Sequence, residues 1–208
     1  MTRLRNLSLK TVTTAAIVST LGLLTAGVAS AADQAYTATA THRCTFPGIP
    51  QQDVGITAFL TGPDAIAVNG TAVPTNVGGT ATISAAVHSL LTAVGYDGIR
   101  GEATVPVTAA RGTVSGPASG LNIPETIYPA GGAITVNIAQ VATSSIPTYT
   151  APATEGTDTL SLGSPITAAL QFHKKSNNTW ANWNMSCTVK TTTPPQNPAF
   201  SPDFVITP

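Results

Sequence analysis

Apolar and polar positions alternate along most of this chain with a period of two. Tyr36-Thr-Ala-Thr-Ala-Thr-His42 places every second residue on one face, which suits a half-buried strand leading into Cys44. Asp53 to Thr61 forms a second run, ended by Gly62-Pro63. Asn69-Gly70 lies between Ile66-Ala-Val68 and Thr71-Ala-Val73, the signature of a hairpin with a type I′ turn. Ala81 to Ser84 continues as strand. Further strand signals run from Ile99 to Ala109, Leu121 to Tyr128, Ala133 to Val141, Gly156 to Leu162, Ile166 to His173 and Met185 to Lys190. Gly-Pro, Pro-Ala-Gly-Gly and Gly-Ser-Pro turns separate them.

The period changes once. Ile83, Val87, Leu90, Leu91 and Val94 fall at helical spacing, Ser84 or Thr82 can cap the start, and Gly95 follows as a C′ glycine. One short helix is expected from about 84 to 94, with His88 at the edge of its apolar face. About eight or nine short strands with one helix predict an all-β domain over 32–190, an Ig-like antiparallel β-sandwich, with a barrel as the alternative. Beyond it, Thr191-Thr-Thr-Pro-Pro195 opens a proline-rich stretch to Pro208, which reads as a flexible tail over 191–208.

The first 31 residues follow another logic. Arg3, Arg5 and Lys10 precede an apolar run from Ala15 to Val28, and Ala29-Ser30-Ala31 offers the small residues of a cleavage site. This is the pattern of a secretory signal peptide, cut before Ala32 or Asp33. Thr20, Gly22, Thr25 and Gly27 interrupt the run, which is short for a span of about 20 residues. The mature chain is expected to be secreted, free or associated with the cell wall, with no membrane span. It would keep six basic residues against nine acidic ones, a mildly negative balance. Cys44 and Cys187 are the only cysteines. In an oxidising compartment they have one possible partner each, and no C-x-x-C spacing suggests redox chemistry. A structural disulfide is expected.

Composition removes several function classes. Charged residues are 9% of the chain, against about 25% in an ordinary domain. Nine Lys+Arg balance nine Asp+Glu, so there is no basic stripe for a nucleic acid. With 42% apolar residues and no net charge, the chain is not a disordered one.

Arg43-Cys44-Thr45-Phe46-Pro47 opens the domain; Ala81 to Gly95 leads into Ile99-Arg-Gly-Glu-Ala-Thr-Val105, and Ser186-Cys187-Thr188 closes it. In these segments the chain resembles the secreted β-sandwich domains of unknown function found widely in actinobacteria, over about 40 to 190. Those domains often open on a C-T-F-P segment, carry a short helix before an S-G-x-A-T-like strand and end at a second cysteine. The resemblance implies a sandwich fold and transfers no catalytic or binding residue.

Chemical constellations are sparse. The three histidines, His42, His88 and His173, are scattered, and no serine lies in G-x-S-x-G; Ser115 comes nearest, with the wrong spacing. Glu102, Glu125, Glu155, Asp97 and Asp158 are carboxylates of the right type for a glycosidase pair, without a motif to join them. No ligand spacing marks a metal, and no cofactor is implied. One stretch differs: Lys174-Lys-Ser-Asn-Asn-Thr-Trp180-Ala-Asn-Trp183 is the most polar and most aromatic part of the mature chain. An indole face beside amides suits sugar stacking, which makes Trp180, Trp183, Asn177, Asn178 and Asn182 a candidate binding surface. In a strand, tryptophans three apart face opposite ways, so one indole should be exposed and the other buried. The expected function is a non-catalytic exported domain that binds cell-wall glycan or a surface protein. The alternative is a secreted hydrolase with an unrecognised site.

Overall fold

The computed structural model describes residues 31–208. Apart from Ala31, the expected signal peptide lies outside the described residues. Two long antiparallel strands, β1 (Asp33–Phe46) and β2 (Ile49–Pro63), begin the fold. Burial along β1 takes every second residue from Tyr36 to Phe46, as the strand period requires. Then come β3 (Ala65–Ala67), β4 (Thr71–Ala72), β5 (Thr75–Ile83), helix α1 (Ala85–Ala93) and β6 (Tyr96–Val105). Pro106 separates β6 from β7 (Val107–Ala109), where a residue without an N–H interrupts the ladder. After β8 (Thr113–Val114), β9 (Ala118–Ile127) and β10 (Ile134–Ala139) come β11 (Tyr149–Thr150), β12 (Gly156–Asp158) and β13 (Leu160–Leu162). The last three are β14 (Ile166–Lys174), β15 (Thr179–Val189) and β16 (Phe204–Thr207).

Eight of these strands form one closed antiparallel sheet in the order β1-β15-β14-β6-β9-β10-β5-β2, with β2 returning to β1. The all-β class with one helix among the described residues holds, but the two-sheet Ig-like sandwich is replaced by closure. Local alternation cannot tell the two apart, because strands of a sandwich and of a barrel both send alternate residues inward. What closes the ring is long-range pairing: β1 takes β2 on one side and β15 on the other. The Asn69-Gly70 hairpin is also corrected. A turn forms one residue earlier, around Val68 and Asn69, with Gly70 N donating to Ala67 O at 2.8 Å, and the flanking strands separate. β3 pairs in parallel with β16, and β4 pairs with β11.

Helix α1 begins where Ser84 accepts a hydrogen bond from Val87 N and ends before Gly95, at φ 93°. Val87 and Leu91 are buried as expected, whereas Leu90 and Val94 face out. His88 takes the inner position instead, its Nδ1 2.8 Å from Gly132 O and its ring edge-on to Tyr128.

Two apolar clusters fill the interior. One gathers Phe46, Leu91, Leu121, Ile134 and Phe172 around the disulfide; Cys44 and Cys187 face each other across the β1–β15 ladder, 143 residues apart in sequence. Loop-closure entropy for that span stabilises the fold by roughly 5 kcal/mol at most. The second cluster joins the N-terminal half of β1 to the short strands, through Tyr36, Leu60, Tyr149, Phe200, Phe204 and Ile206.

The last of those residues correct the reading of 191–208 as a flexible tail. β15 leaves β1 after the His42–Val189 pair, so the N-terminal half of β1 would present a bare edge. The C-terminal segment takes that edge. Gln196 works as a surrogate strand: its Oε1 accepts from Thr41 N at 2.7 Å and its Nε2 donates to Thr41 O at 2.9 Å. Ser201 then exchanges two backbone hydrogen bonds of 2.9 Å with Thr37. Phe200, Phe204 and Ile206 are buried.

Candidate functional site

Closure of the sheet leaves its outer face to solvent, so outward positions of adjacent strands line up as cross-strand rows. On β6, β14 and β15 the register sets Arg100 beside Gln171 and Gln171 beside Asn182. The next row is Glu102, Ala169 and Asn184, and the row after it is Thr104, Thr167 and Ser186. At the other end His173 pairs with Trp180.

The Arg100 row is bonded from end to end. Glu125 on β9 accepts from Arg100 Nη1 at 3.0 Å, Arg100 Nε donates to Gln171 Oε1 at 2.8 Å, and Gln171 Nε2 donates to Asn182 Oδ1 at 2.9 Å. The guanidinium carbon also sits 4.1 Å from the centroid of the Trp180 ring, a cation–π contact. His173 lies 4.9 Å from the same indole, with the rings tilted by 53°. Its Nδ1 stands 2.5 Å from Asp97 Oδ1 and its Nε2 3.0 Å from Asn178 Oδ1. Both neighbours are acceptors, so the arrangement suits an imidazolium donating twice. The hydrogen bond to Asp97 raises the imidazole pKa above its usual value, outweighing desolvation; Asn178 and the Glu125 charge act in the same direction.

Trp180, Asn178 and Asn182 are therefore brought together on one outer face. Asn177 stays at the exposed hairpin tip, where it accepts from Thr179 Oγ1. Trp183 points to the opposite side of β15, packs against the disulfide cluster and donates from Nε1 to Thr45 O at 3.2 Å. The two indoles do face opposite ways, but the expected split into one exposed and one buried is corrected: both are half-buried. Trp180 is held down by Arg100, and Trp183 sits where the strand approaches the β1 turn.

Beyond Arg100 the face sinks into a depression of about 400 Å³ lined by Glu102, Thr104, Thr167, Ala169, Asn184 and Ser186. Ala169 makes its floor, a methyl group between two longer polar side chains. The signal for this strip was present in the chain. Gly98, Arg100, Glu102 and Thr104 alternate with apolar positions, as do Thr167, Ala169, Gln171 and His173. Only the pairing of β6 with β14 turns these two half-patterns into one surface.

The remaining chemistry candidates do not converge. His42 is fully buried in the sheet wall, its Nδ1 on Ala40 O, and burial pushes its pKa down. Asp158 is also buried, in a structural network, and Ser115 Oγ accepts from Thr148 N. No cluster of three or more His, Cys, Asp or Glu side chains arranged for a metal occurs among the described residues. No helix among them is long and apolar enough to cross a membrane.

No curated protein and no solved structure matches the chain. A family model does, over residues 41–201, which run from the middle of β1 through the whole outer strip to the segment that covers the β1 edge. On that match the chain belongs to a family of unknown function, DUF6801.

Proposed function

We propose that this chain is an exported, non-catalytic binding domain that contacts a glycan through the outer face of β6, β14 and β15, in the extracellular space or at the cell wall. The observation that carries this reading is the half-buried Trp180 indole at the end of a strip of amides and hydroxyls that runs into an open depression. Sugar rings offer an apolar C–H face and a rim of hydroxyls, and this strip offers the complement of each. Arg100 lies over the indole and His173 packs against it, so the ligand uses the part of the half-buried ring that these two leave open. The cross-strand hydrogen bonds keep the amides in place before binding, which lowers the ordering cost. Export is supported by the signal-like leader, by the disulfide, and by β1 starting at Asp33, directly after the expected cleavage position. The hydrolase alternative gains nothing from His173, both of whose nitrogens already face acceptors, and Glu102 lines the depression without a second carboxylate to complete a glycosidase pair.

Pull-down on insoluble cell-wall polysaccharide tests the proposal. Wild-type protein should bind, and Trp180→Ala should weaken binding about 30-fold, the loss expected for an aromatic anchor worth about 2 kcal/mol. Trp183→Ala is the contrast. It should leave binding by the folded fraction intact and cost about 3 kcal/mol of stability, the low end for removing a large core aromatic. Binding indifferent to Trp180, or absent from the wild type, would remove the reading.

A further inference from the structure

We infer that the depression two cross-strand rows along from Trp180, past Gln171 and Asn182, accepts an uncharged, hydroxyl-rich sugar and excludes anionic glycans, with Glu102 as the residue that decides. This rests on the glycan reading above. The charges on the face are unequally compensated. Arg100 is neutralised by Glu125 at 3.0 Å and lies against the Trp180 ring. His173 is matched by Asp97 at 2.5 Å. Glu102 is exposed, and no salt bridge or side-chain hydrogen bond engages it among the described residues. The one uncompensated charge lining the depression is therefore negative.

The rest of the lining is neutral, and its polar part is the Thr104, Thr167 and Ser186 hydroxyls and the Asn184 amide, set about the Ala169 methyl. A carboxylate has about four lone-pair sites and no donor, so it seeks O–H or N–H partners. Two adjacent sugar hydroxyls supply two donors to one carboxylate, and such charge-assisted hydrogen bonds are the stronger kind. A uronate or phosphodiester brings a second negative charge to the same place, and no cation lines the depression among the described residues. The depression, about 400 Å³, lies within the range of about 300–1,000 Å³ usual for small-ligand sites. Its floor is shallow because Ala169 has no reach, and that leaves room for a ring between Glu102 and Asn184, its partners on either side in the register.

The test is affinity electrophoresis and calorimetric titration of the disulfide-bonded protein against two sets of probes. Dextran, laminarin and mannan are the uncharged set; polygalacturonate, alginate and poly(glycerol phosphate) are the anionic set. The wild type should bind at least one uncharged polymer at least tenfold more tightly than any anionic one at low salt. Glu102→Gln should weaken that binding about tenfold with an unchanged melting temperature, and Glu102→Lys should admit the anionic set. Ala169→Arg should block the depression and abolish both. Preference for an anionic polymer, or Glu102→Gln binding like the wild type, overturns the inference while leaving the glycan reading in place. Binding to none of the six overturns both.

Discussion

A chain ending at Lys190 should lose the second apolar cluster, although the deleted residues read as a stalk. Phe200, Phe204 and Ile206 are 4%, 5% and 1% exposed. Burying one such side chain contributes about 1.5–3 kcal/mol, so the three together account for about 5–9 kcal/mol. That is comparable with the whole stability of an ordinary domain, about 5–15 kcal/mol. Backbone losses add to it. Thr41 would lose its Gln196 partner, Thr37 its exchange with Ser201, and β3 its only parallel neighbour in β16. Phe204 also stacks edge-on against both Tyr36 and Tyr149, with centroids 6.2 and 5.0 Å away, so its removal opens the centre of the cluster. Denaturant unfolding of the 191–208 deletion should show a midpoint shifted far below that of the full chain, or no cooperative transition in this half. A truncated protein with an unchanged midpoint would contradict the packing described here.

That segment illustrates how composition can outvote pattern. Its prolines, at 194, 195, 198, 202 and 208, forbid regular ladder hydrogen bonds and suggest an extended, unattached chain. Yet Phe200, Phe204 and Ile206 are large apolar residues, and at 204 and 206 they already have the spacing of a strand with one buried face. A proline-rich segment can still pack if isolated N–H and C=O groups find partners, and here a side-chain amide supplies the missing pair. Strand positions, the helix and the disulfide were legible because each depends on neighbours in sequence or on a simple count of cysteines. Closure of the sheet was not, since it rests on β1 meeting β15. The binding strip divides in the same way. Trp180, Asn178 and Asn182 lie within one hairpin and could be read together, while Arg100 and Glu102 join them only through the pairing of β6 with β14.

Asp158 is one more carboxylate by type alone, and its replacement by alanine should cost about 3–5 kcal/mol, because several buried donors lose their acceptor at once. The side chain is 1% exposed and collects four donors. Oδ1 accepts from Arg111 N and Thr159 N at 2.9 and 2.8 Å; Oδ2 accepts from Gly112 N at 2.7 Å and the Tyr149 hydroxyl at 2.6 Å. Alanine leaves these donors facing a void, and each unsatisfied buried donor costs about 1–3 kcal/mol before any relaxation. Tyr149→Phe removes one donor only and should cost less, about 1.5–3 kcal/mol for a hydrogen bond to a charged group. The same network fixes a pH dependence. Burial pushes the Asp158 carboxyl up, but the Tyr149 hydroxyl and the three backbone N–H groups more than offset it, leaving its pKa below the usual carboxylate value. A lowered folded-state pKa means that the unfolded chain binds the proton first. The contribution of Asp158 is therefore complete above the ordinary carboxylate range, about pH 4, and is lost as pH falls through the folded value. His42, pushed down by burial, produces its own loss at higher pH, beginning as the medium drops below about 6.5. His173 runs the other way, its raised pKa giving a contribution that is full below about 6.5 and lost as pH rises through the folded value. Stability measured against pH should thus fall in two stages on acidification, and Asp158→Ala should lessen only the stage below about pH 4, leaving the part due to Asp53, whose carboxyl the hydrogen bond from Lys190 also holds down. A variant that keeps the full acid slope there would place the titrating group elsewhere and leave Asp158 a neutral hydrogen-bonding residue.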